Sequence, residues 1–301
     1  MTAYPRSWLF IPGDSEKKLG KIADCGADAV IIDLEDSVGA ANKNTARATT
    51  VSYLEQHGAS STTQLWVRIN ALDSDWCAAD IAAVVPHGPA GVVLPKAEGP
   101  GDVARLSALL DAAGDGAGEG AAAIRIHAIA TETARAVLKL PEFADGVSPR
   151  LSALSWGAED LASAIGASAN RSADGAFLGV FQHVRHQALL AAHAAGVQAV
   201  ETLHADFRDD AGLRLSSVAA RVIGFTGRLA IHPAQVPIIN AAFLPSDAEV
   251  EWAQRIVTAF AAAGDVGTIG LDGKMIDRPH LLQSQALLGR WKEYRQYSHC
   301  Q

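Results

Sequence analysis

Acidic side chains stand directly after several apolar runs of this 301-residue chain, and two of them could hold a metal ion. Glu132 follows the run from Ile124 to Ala130, and Asp160 follows the run from Leu151 to Trp156. Carboxylates with no thiol and few histidines suit Mg²⁺, which takes one or two protein carboxylates and leaves its other positions to water and substrate oxygens. We therefore predict Glu132 and Asp160 as ligands of Mg²⁺, with Mn²⁺ as an alternative ion. The competing interpretation is that Thr131 and Glu132 only cap the next helix.

A second acidic group is the DLED stretch at positions 33–36. The alternation of a strand places Asp33 and Glu35 on one side and Asp36 just beyond the strand end. These carboxylates either bind the waters of a metal ion or hold neighbouring loops.

Arg68 stands in the otherwise apolar run WVRIN. A buried arginine must direct its guanidinium toward an anion, and the planar fork suits a substrate carboxylate. An internal salt bridge to the acids at positions 33–36 is the alternative.

These side chains need a frame that brings the ends of separate strands together. Short β-rich runs, each followed by a helix-periodic stretch, predict βα units and a parallel sheet. Eight such units over about 250 residues predict an α/β fold of the TIM (β/α)8 barrel type, with catalytic groups at the carboxyl ends of the strands. The predicted strands are Ser7–Pro12, Ala29–Leu34, Leu65–Asn70, Gly91–Pro95, Ile124–Ala130, Leu151–Trp156, Gln198–Leu203 and Arg228–His232.

The chain continues beyond the eighth predicted strand. Ser246 and Glu249 form a capping-box signature for a helix that runs to about Ala263. A Gly-rich passage then precedes a last amphipathic helix, His280 to Trp291. We predict a TIM-barrel catalytic domain at residues 1–244 and a C-terminal helical extension at residues 245–301, which acts as a brace or a lid.

Composition excludes several classes of protein. With 25 Lys and Arg against 33 Asp and Glu, the formal net charge of −8 repels phosphate backbones and anionic lipid, so we expect neither a nucleic-acid nor a membrane partner. No window reaches the roughly 18 apolar residues of a spanning helix, and no signal-peptide pattern is present. Cys25, Cys77 and Cys300 show neither disulfide nor zinc-site spacing. We expect a cytoplasmic protein.

The order of eight motifs resembles that of one enzyme family. The motifs are RSWLFIPGD, DAVIIDLEDSV, LWVRIN, VVLPKAE, TETARAV, LSWGAEDLA, GFTGRLAIHPAQV and DGKMIDRPH. This order is typical of the citrate lyase β-subunit-like branch of the HpcH/HpaI aldolase family, which includes malyl-CoA, citramalyl-CoA and citryl-thioester lyases. The resemblance covers nearly the whole chain. It implies a TIM barrel, Mg²⁺, a CoA thioester as substrate and a trimeric or hexameric homo-oligomer.

The resemblance also implies roles for residues of the barrel. The metal-binding glutamate and aspartate of the family fall on Glu132 and Asp160, and the arginine that binds the substrate carboxylate falls on Arg68. Glu35 and Asp36 match the acidic pair beside the waters of the metal ion.

Further implied roles concern Asp277 and the CoA site. In relatives with the C-terminal extension, the aspartate of the GKMID element reaches the active site of a neighbouring subunit as acid/base, and here it is Asp277. The loop after the first strand contributes to the CoA site, which makes Arg6, Lys17 and Lys18 candidates for its phosphates.

The implied reaction is a retro-Claisen cleavage of a malyl-, citramalyl- or citryl-CoA type of thioester to acetyl-CoA and a 2-oxo acid. One alternative is a citrate lyase β subunit that acts on the citryl thioester of an acyl carrier protein. Others are a malyl-CoA-type thioesterase and, outside the enzymes, a regulatory barrel that binds a CoA thioester.

Overall fold

The computed structural model describes residues 4–58, 60–114 and 124–298. Eight parallel strands close into a barrel in chain order, with β8 paired to β1. They are β1 Ser7–Pro12, β2 Ala29–Asp33, β3 Gln64–Arg68, β4 Gly91–Leu94, β5 Arg125–Ile129, β6 Leu151–Ser155, β7 Gln198–Glu201 and β8 Gly227–Ala230. The predicted TIM barrel is confirmed, and each predicted strand overlaps an observed one.

Helices alternate with the strands of the barrel. They are α1 Glu16–Leu19, α2 Lys43–His57, α3 Cys77–Val84, α4 Pro100–Gly114, α5 Ala134–Lys139, α6 Ala158–Ala164, α7 Gly179–Ala194, α8 Asp210–Ile223 and α9 Gln235–Ala242. The start of α5 illustrates how the sequence sets these bounds. Thr133 is its N-cap, and the side chain of Thr133 accepts a hydrogen bond from the backbone of Ala136. The proposed capping role of Thr131 and Glu132 is therefore wrong, because the residue after them caps the helix.

The interior of the barrel is filled by side chains of alternating strand residues. Trp8 of β1 packs edge-on against Trp66 of β3, with ring centroids 4.9 Å apart. His127 of β5 lies 4.7 Å from Trp8 in the same way, and neither of its ring nitrogens has a hydrogen-bond partner among the described residues. Gly91 of β4 leaves the space that the Trp66 ring occupies. The interior is thus a packed core that holds the strand ends in a fixed arrangement.

The chain divides into two compact units, and the first consists of residues 5–240. The second contains residue 4 and residues 241–298 of the described chain. In the second unit, α10 Asp247–Ala263 begins with the predicted capping box of Ser246 and Glu249. A hairpin of β9 Thr268–Leu271 and β10 Lys274–Asp277 follows, and then α11 Arg278–Ser298. Its small core consists of Ile256, Phe260 and Ile276.

None of the helices described is both long enough and apolar enough to cross a bilayer. Cys25 and Cys77 are free thiols, and Cys300 lies outside the described residues.

Candidate active site

The carboxyl ends of β2 to β6 bring charged side chains to one rim of the barrel. Four strands contribute acids or a guanidinium, and the turn after β4 contributes a lysine. These residues are Asp33 at the end of β2, Glu35 and Asp36 just after it, Arg68 at the end of β3, Lys96 after β4, Glu132 after β5 and Asp160 in the first turn of α6. Because parallel strands end at the same edge, the barrel places these residues on one face, as in other enzymes of this fold.

Glu132 is a carboxylate buried at this rim, with 3% of its surface exposed. One of its oxygens accepts a hydrogen bond from the backbone N–H of Lys96. Burial raises the pKa of Glu132 to about 8, and the nearby negative charge of Asp160 adds to the shift. A cation close to both groups would favour the ionised form of Glu132.

Gly157 brings Asp160 and Glu132 to the same place. Its backbone N–H donates to Thr131 Oγ1 at 2.9 Å, which ties the start of α6 to the end of β5. A Cβ atom at position 157 would lie 3.0 Å from Cγ of Glu132, so the two segments are in close contact. Asp160 is half-buried in the first turn of α6, where the helix dipole favours a negative charge.

The donor set of this pair fits a hard divalent ion. No group of three or more His, Cys, Asp or Glu residues in the described chain is arranged to hold a metal. Two carboxylates are enough for Mg²⁺, which keeps several waters and is completed by substrate oxygens, whereas a structural zinc site needs four protein ligands. Glu132 and Asp160 are therefore the residues that could hold Mg²⁺.

Arg68 is engaged by the acids that follow β2. Its Nε and Nη2 donate to the two carboxylate oxygens of Asp33, each at 2.7 Å, and Nη1 lies 3.2 Å from Glu35. Burial opposes the charge of Arg68, but the hydrogen bonds that it donates to Asp33 raise its pKa above the usual range. The alternative of an internal salt bridge is thus present in the structure. Since a guanidinium has five N–H donors, the Nη1 side retains capacity for an anion.

Asp33 holds both Arg68 and the turn formed by residues 33–36, the acidic turn. Its side chain also accepts the backbone N–H groups of Glu35 at 2.9 Å and Ser37 at 3.1 Å. Although burial would raise the pKa of Asp33, the bonds from Arg68 and Ser37 lower it. The sequence pattern predicted, as one alternative, a salt bridge of Arg68 to the acids at positions 33–36, and the structure identifies Asp33 as the acid that orients Arg68.

Lys43 is a residue of this site that sequence reasoning missed. Its buried ammonium donates to the backbone oxygens of Leu34 and Glu35 at 2.6 and 2.7 Å and to Asn70 Oδ1 at 2.7 Å. Asn70 in turn donates to Leu34 and to Asp80. Lys43 therefore fixes the backbone of the acidic turn. Its position at the start of α2 gave no signal of this role in the sequence.

Lys96 connects the acidic turn with Glu132. Its ammonium contacts the carboxylate of Glu35 and lies 3.3 Å from Asp36, while its backbone N–H bonds Glu132. Burial raises the pKa of Glu35, and Arg68 and Lys96 only partly oppose that effect.

Glu201 does not join the metal pair, although it also ends a strand. Val200 faces the barrel core, so the alternation of the strand turns Glu201 to the opposite face. There it accepts hydrogen bonds from Trp156 Nε1 at 2.7 Å and from Arg185 Nε at 2.6 Å. Glu201 thus ties β7 to β6 and α7.

The three cations predicted for the CoA site are separated. Lys17 and Lys18 are exposed in α1, just after the carboxyl end of β1. Arg6 precedes β1, at the amino end of the strand, and its Nε and Nη2 donate to the carboxylate of Asp28 at 2.7 and 2.8 Å. The structure therefore does not bring Arg6 together with the lysines, because the length of β1 lies between them.

Asp277 belongs to the second unit. It ends β10 directly before α11, and one of its carboxylate oxygens contacts Nδ1 of His280. This hydrogen bond lowers the pKa of Asp277. Within its own unit, Asp277 is thus a half-buried acid paired with a histidine.

Comparison with known proteins gives consistent matches. Residues 6–233 match the model of the family described as HpcH/HpaI aldolase/citrate lyase. The chain is 35% identical to a citrate lyase subunit beta-like protein of Mycobacterium tuberculosis, with 94% of each chain covered. It is 34% identical to a (3S)-malyl-CoA thioesterase of Cereibacter sphaeroides, with 96% of this chain and 95% of the relative covered. A crystal structure of the M. tuberculosis protein CitE with magnesium, acetoacetate and coenzyme A matches with a TM-score of 0.78 and 33% identity, over 96% of this chain and 98% of that one.

Proposed function

The chain belongs to the HpcH/HpaI aldolase/citrate lyase family, and from this premise we propose that it is a Mg²⁺-dependent carbon–carbon lyase. Its substrate is a β-hydroxyacyl-CoA thioester of the malyl, citramalyl or citryl type, and its products are acetyl-CoA and a 2-oxo acid. The observation that carries the proposal is the buried carboxylate of Glu132 beside Asp160, on the same rim as the Arg68 guanidinium. The solved relative with magnesium, acetoacetate and coenzyme A supports the choice of ligands.

Glu132 and Asp160 are the residues that would hold the ion. When bound, Mg²⁺ supplies Lewis acidity toward the hydroxyl and carboxylate oxygens of the substrate and orients them. The chain contributes a buried, fixed pair of ligands, since Gly157 and the backbone of Lys96 restrict Glu132.

Arg68 binds the substrate carboxylate next to the hydroxyl carbon. Asp33 holds the Nε and Nη2 side of the guanidinium, so the Nη1 side is presented without a change of rotamer. A guanidinium fixed in this way stabilises negative charge that develops as the carbon–carbon bond breaks, and it needs little reorganisation to do so.

The cleavage step transfers one electron pair and one proton. The hydroxyl of the substrate gives its proton to the carboxylate of Asp277, its carbon becomes the carbonyl of the 2-oxo acid, and the bonding pair passes to the thioester as an enolate. Asp277 of a neighbouring subunit delivers the proton that converts the enolate to acetyl-CoA. This role requires a homo-oligomer, for which we propose a trimer or hexamer.

The CoA part of the thioester carries phosphates that need cations as partners. The cations of the rim are already paired with its carboxylates. Lys17 and Lys18 lie beyond the carboxyl end of β1 and are our candidates for that contact. The free thiols of Cys25 and Cys77 agree with a cytoplasmic location.

A panel of thioesters tests the proposal. Malyl-CoA, both citramalyl-CoA isomers and citryl-CoA are incubated with enzyme and Mg²⁺ or with EDTA, and acetyl-CoA and free CoA are measured separately. We expect Mg²⁺-dependent acetyl-CoA release from at least one substrate. Glu132→Gln should abolish this release, whereas Glu159→Gln, which changes an exposed carboxylate of the same helix turn as Asp160, should retain it.

Two results of the panel would replace the proposal. Release of free CoA without acetyl-CoA would identify a thioesterase, which the malyl-CoA thioesterase relative makes a specific alternative. Cleavage of citryl-acyl carrier protein but of no CoA thioester would identify a citrate lyase subunit.

A further inference from the structure

Lys96 has a backbone conformation that lysine rarely adopts. Its φ is +53°, and among the described residues other than glycine only Asp272 shares a positive φ. Asp272 lies in the hairpin turn between β9 and β10, where such a conformation is common. Lys96 instead lies at the rim, directly after β4. A lysine remains in the left-handed region only where its surroundings enforce it, and such residues cluster at functional sites.

Backbone hydrogen bonds on both sides of the Lys96 Cα atom explain why this residue keeps a positive φ. The N–H of Lys96 donates to Glu132, and the N–H of Ala97 donates to the backbone oxygen of Ile129 at 3.2 Å. Both acceptors belong to the end of β5 or the turn after it. Because φ of Lys96 sets the direction of the chain between these two donors, a change to negative φ would break one of the bonds.

The side chain of Lys96 anchors the same conformation. Its ammonium contacts Glu35 and lies 3.3 Å from Asp36. Glu35 is itself held by Arg68 at 3.2 Å, and the backbone of Glu35 is fixed by Lys43. The lysine is therefore tied to a rigid acidic turn at one end and to Glu132 at the other.

We propose that Lys96 is a positioning residue of the metal site, whose left-handed backbone holds the Glu132 carboxylate and whose ammonium anchors that backbone on Glu35. The inference rests on the proposed function only in taking Glu132 as a ligand of Mg²⁺. Within the described part of the chain the Glu132 carboxylate accepts no other hydrogen bond, so its orientation depends on this contact and on the close packing of Gly157.

Two uncharged substitutions separate the backbone effect from the charge. Lys96→Gly and Lys96→Ala both remove the ammonium, but only glycine adopts a positive φ at no steric cost. The affinity for Mg²⁺ alone is measured by titration calorimetry without substrate. We expect Lys96→Gly to bind Mg²⁺ roughly 10-fold more tightly than Lys96→Ala, since loss of a group that orients a metal ligand costs 10- to 100-fold in affinity. The loss of charge is common to both variants and cancels in this ratio.

Further variants control for strain and for folding. Lys96→Asn, which is uncharged and tolerates the left-handed region, should bind like the glycine variant. Asp272→Gly and Asp272→Ala repeat the comparison at the hairpin, and their Mg²⁺ affinities should be equal. If Lys96→Ala does not fold, Lys96→Ser replaces it in the comparison, because serine also disfavours a positive φ.

Each outcome bears on the proposal. Equal affinities of the glycine, asparagine and alanine variants would overturn the role of Lys96, while a wild-type protein that binds no Mg²⁺ would overturn it together with the proposed metal site. The expected order of affinities without any thioester cleavage by the wild type would support the positioning role and reject the proposed reaction.

Discussion

The contact between Gly157 and Glu132 gives a sharp test at the scale of single residues. The backbone of Gly157 has φ −111° and ψ 111°, which alanine adopts without strain. The added Cβ would lie 3.0 Å from Cγ of Glu132, closer than ordinary van der Waals contact. We expect Gly157→Ala to displace the carboxylate and to weaken Mg²⁺ binding by roughly 10-fold, measured by calorimetry.

Gly101→Ala is the matched control for this change. A Cβ at position 101, in the first turn of α4, meets nothing within 4 Å. Its Mg²⁺ affinity should equal that of the wild type, and its stability should not fall, because alanine is the better helix former. Unchanged Mg²⁺ affinity in Gly157→Ala would show either that Glu132 is not a ligand or that the backbone at position 157 shifts to admit the methyl group without moving Glu132.

At this scale, the sequence reveals charges better than it reveals their partners. Arg68 was recognisable because an arginine in an apolar strand needs an anion, and Glu132 and Asp160 because they follow strands. The sequence offered the acids at positions 33–36 as partners of Arg68 without singling out Asp33, and it gave no sign that Lys43 holds the backbone of Leu34 and Glu35. Whether a buried donor bonds a substrate, a side chain or a backbone oxygen depends on distances of a few ångströms between segments far apart in sequence, and no local pattern encodes these.

Among the elements of the barrel, β3 and β4 meet where Trp66 lies over Gly91. A Cβ at position 91 would lie 2.1 Å from the Trp66 ring, so the indole would have to move within a packed core. We expect Gly91→Ala to lower the free energy of unfolding by about 1–3 kcal/mol or more. Urea unfolding measures this change.

Two companion variants define the cause of that loss. Gly270→Ala, at a strand glycine with nothing within 4 Å, should be close to neutral. Combining Gly91→Ala with Trp66→Leu should cost less than the sum of the two single changes, because the smaller side chain leaves room for the methyl group. Strict additivity would contradict the packing explanation.

His127 of β5 makes the stability of the barrel depend on pH. Burial among Trp8 and Trp66 lowers its pKa to about 3, whereas in the unfolded chain it is about 6.5. Between these values the unfolded state binds a proton that the native state does not, so stability falls as the pH falls. Lowering the pH from 6.5 to 5 therefore lowers the free energy of unfolding by about 2 kcal/mol.

His127→Leu removes this titration. We expect the difference in unfolding free energy between His127→Leu and the wild type to shift in favour of the variant as the pH is lowered from 6.5 to 5. His183→Gln, at an exposed histidine of α7, should follow the wild type at every pH. If the difference in unfolding free energy between His127→Leu and the wild type does not change with pH, His127 binds protons equally well in the native and unfolded states, and the explanation from burial is wrong.

The order of elements in the barrel was predictable because its strands are buried on both faces and read as continuous apolar runs. The hairpin β9–β10 was not predicted. Exposed and half-buried residues alternate along β9, Ile276 is the one buried residue of β10, and the glycines of the hairpin read as a loop. A two-stranded hairpin is stabilised by what it packs against, here Ile256 and Phe260 of α10, and that contact is not visible in the hairpin sequence.

On the scale of the whole molecule, part of the excess of acidic over basic residues lies at the proposed site. Five carboxylates of the rim, at positions 33, 35, 36, 132 and 160, are met by the three cations Lys43, Arg68 and Lys96. This excess attracts Mg²⁺ but opposes an anionic thioester. The substrate phosphates therefore need cations outside the rim, which is the role we propose for Lys17 and Lys18.

The whole-molecule prediction concerns Asp277 and the subunit that it serves. If Asp277 completes the active site of a neighbour, Arg68→Ala and Asp277→Asn are each inactive alone, but a mixed oligomer contains sites with an intact Arg68 from one subunit and an intact Asp277 from another. Random 1:1 assembly in a closed ring gives such sites in about a quarter of the cases. Co-expression of the two variants should thus restore about a quarter of the wild-type rate of acetyl-CoA release.

The experiment requires proof that the subunits mix. Two affinity tags, one on each variant, allow purification of oligomers that contain both, and light scattering gives their size. The separately purified variants, combined without dissociation, should remain inactive and serve as the control. Purified mixed oligomers without activity would show that Asp277 acts within its own chain or not at all, because only donation between subunits can combine two defective chains into a complete site.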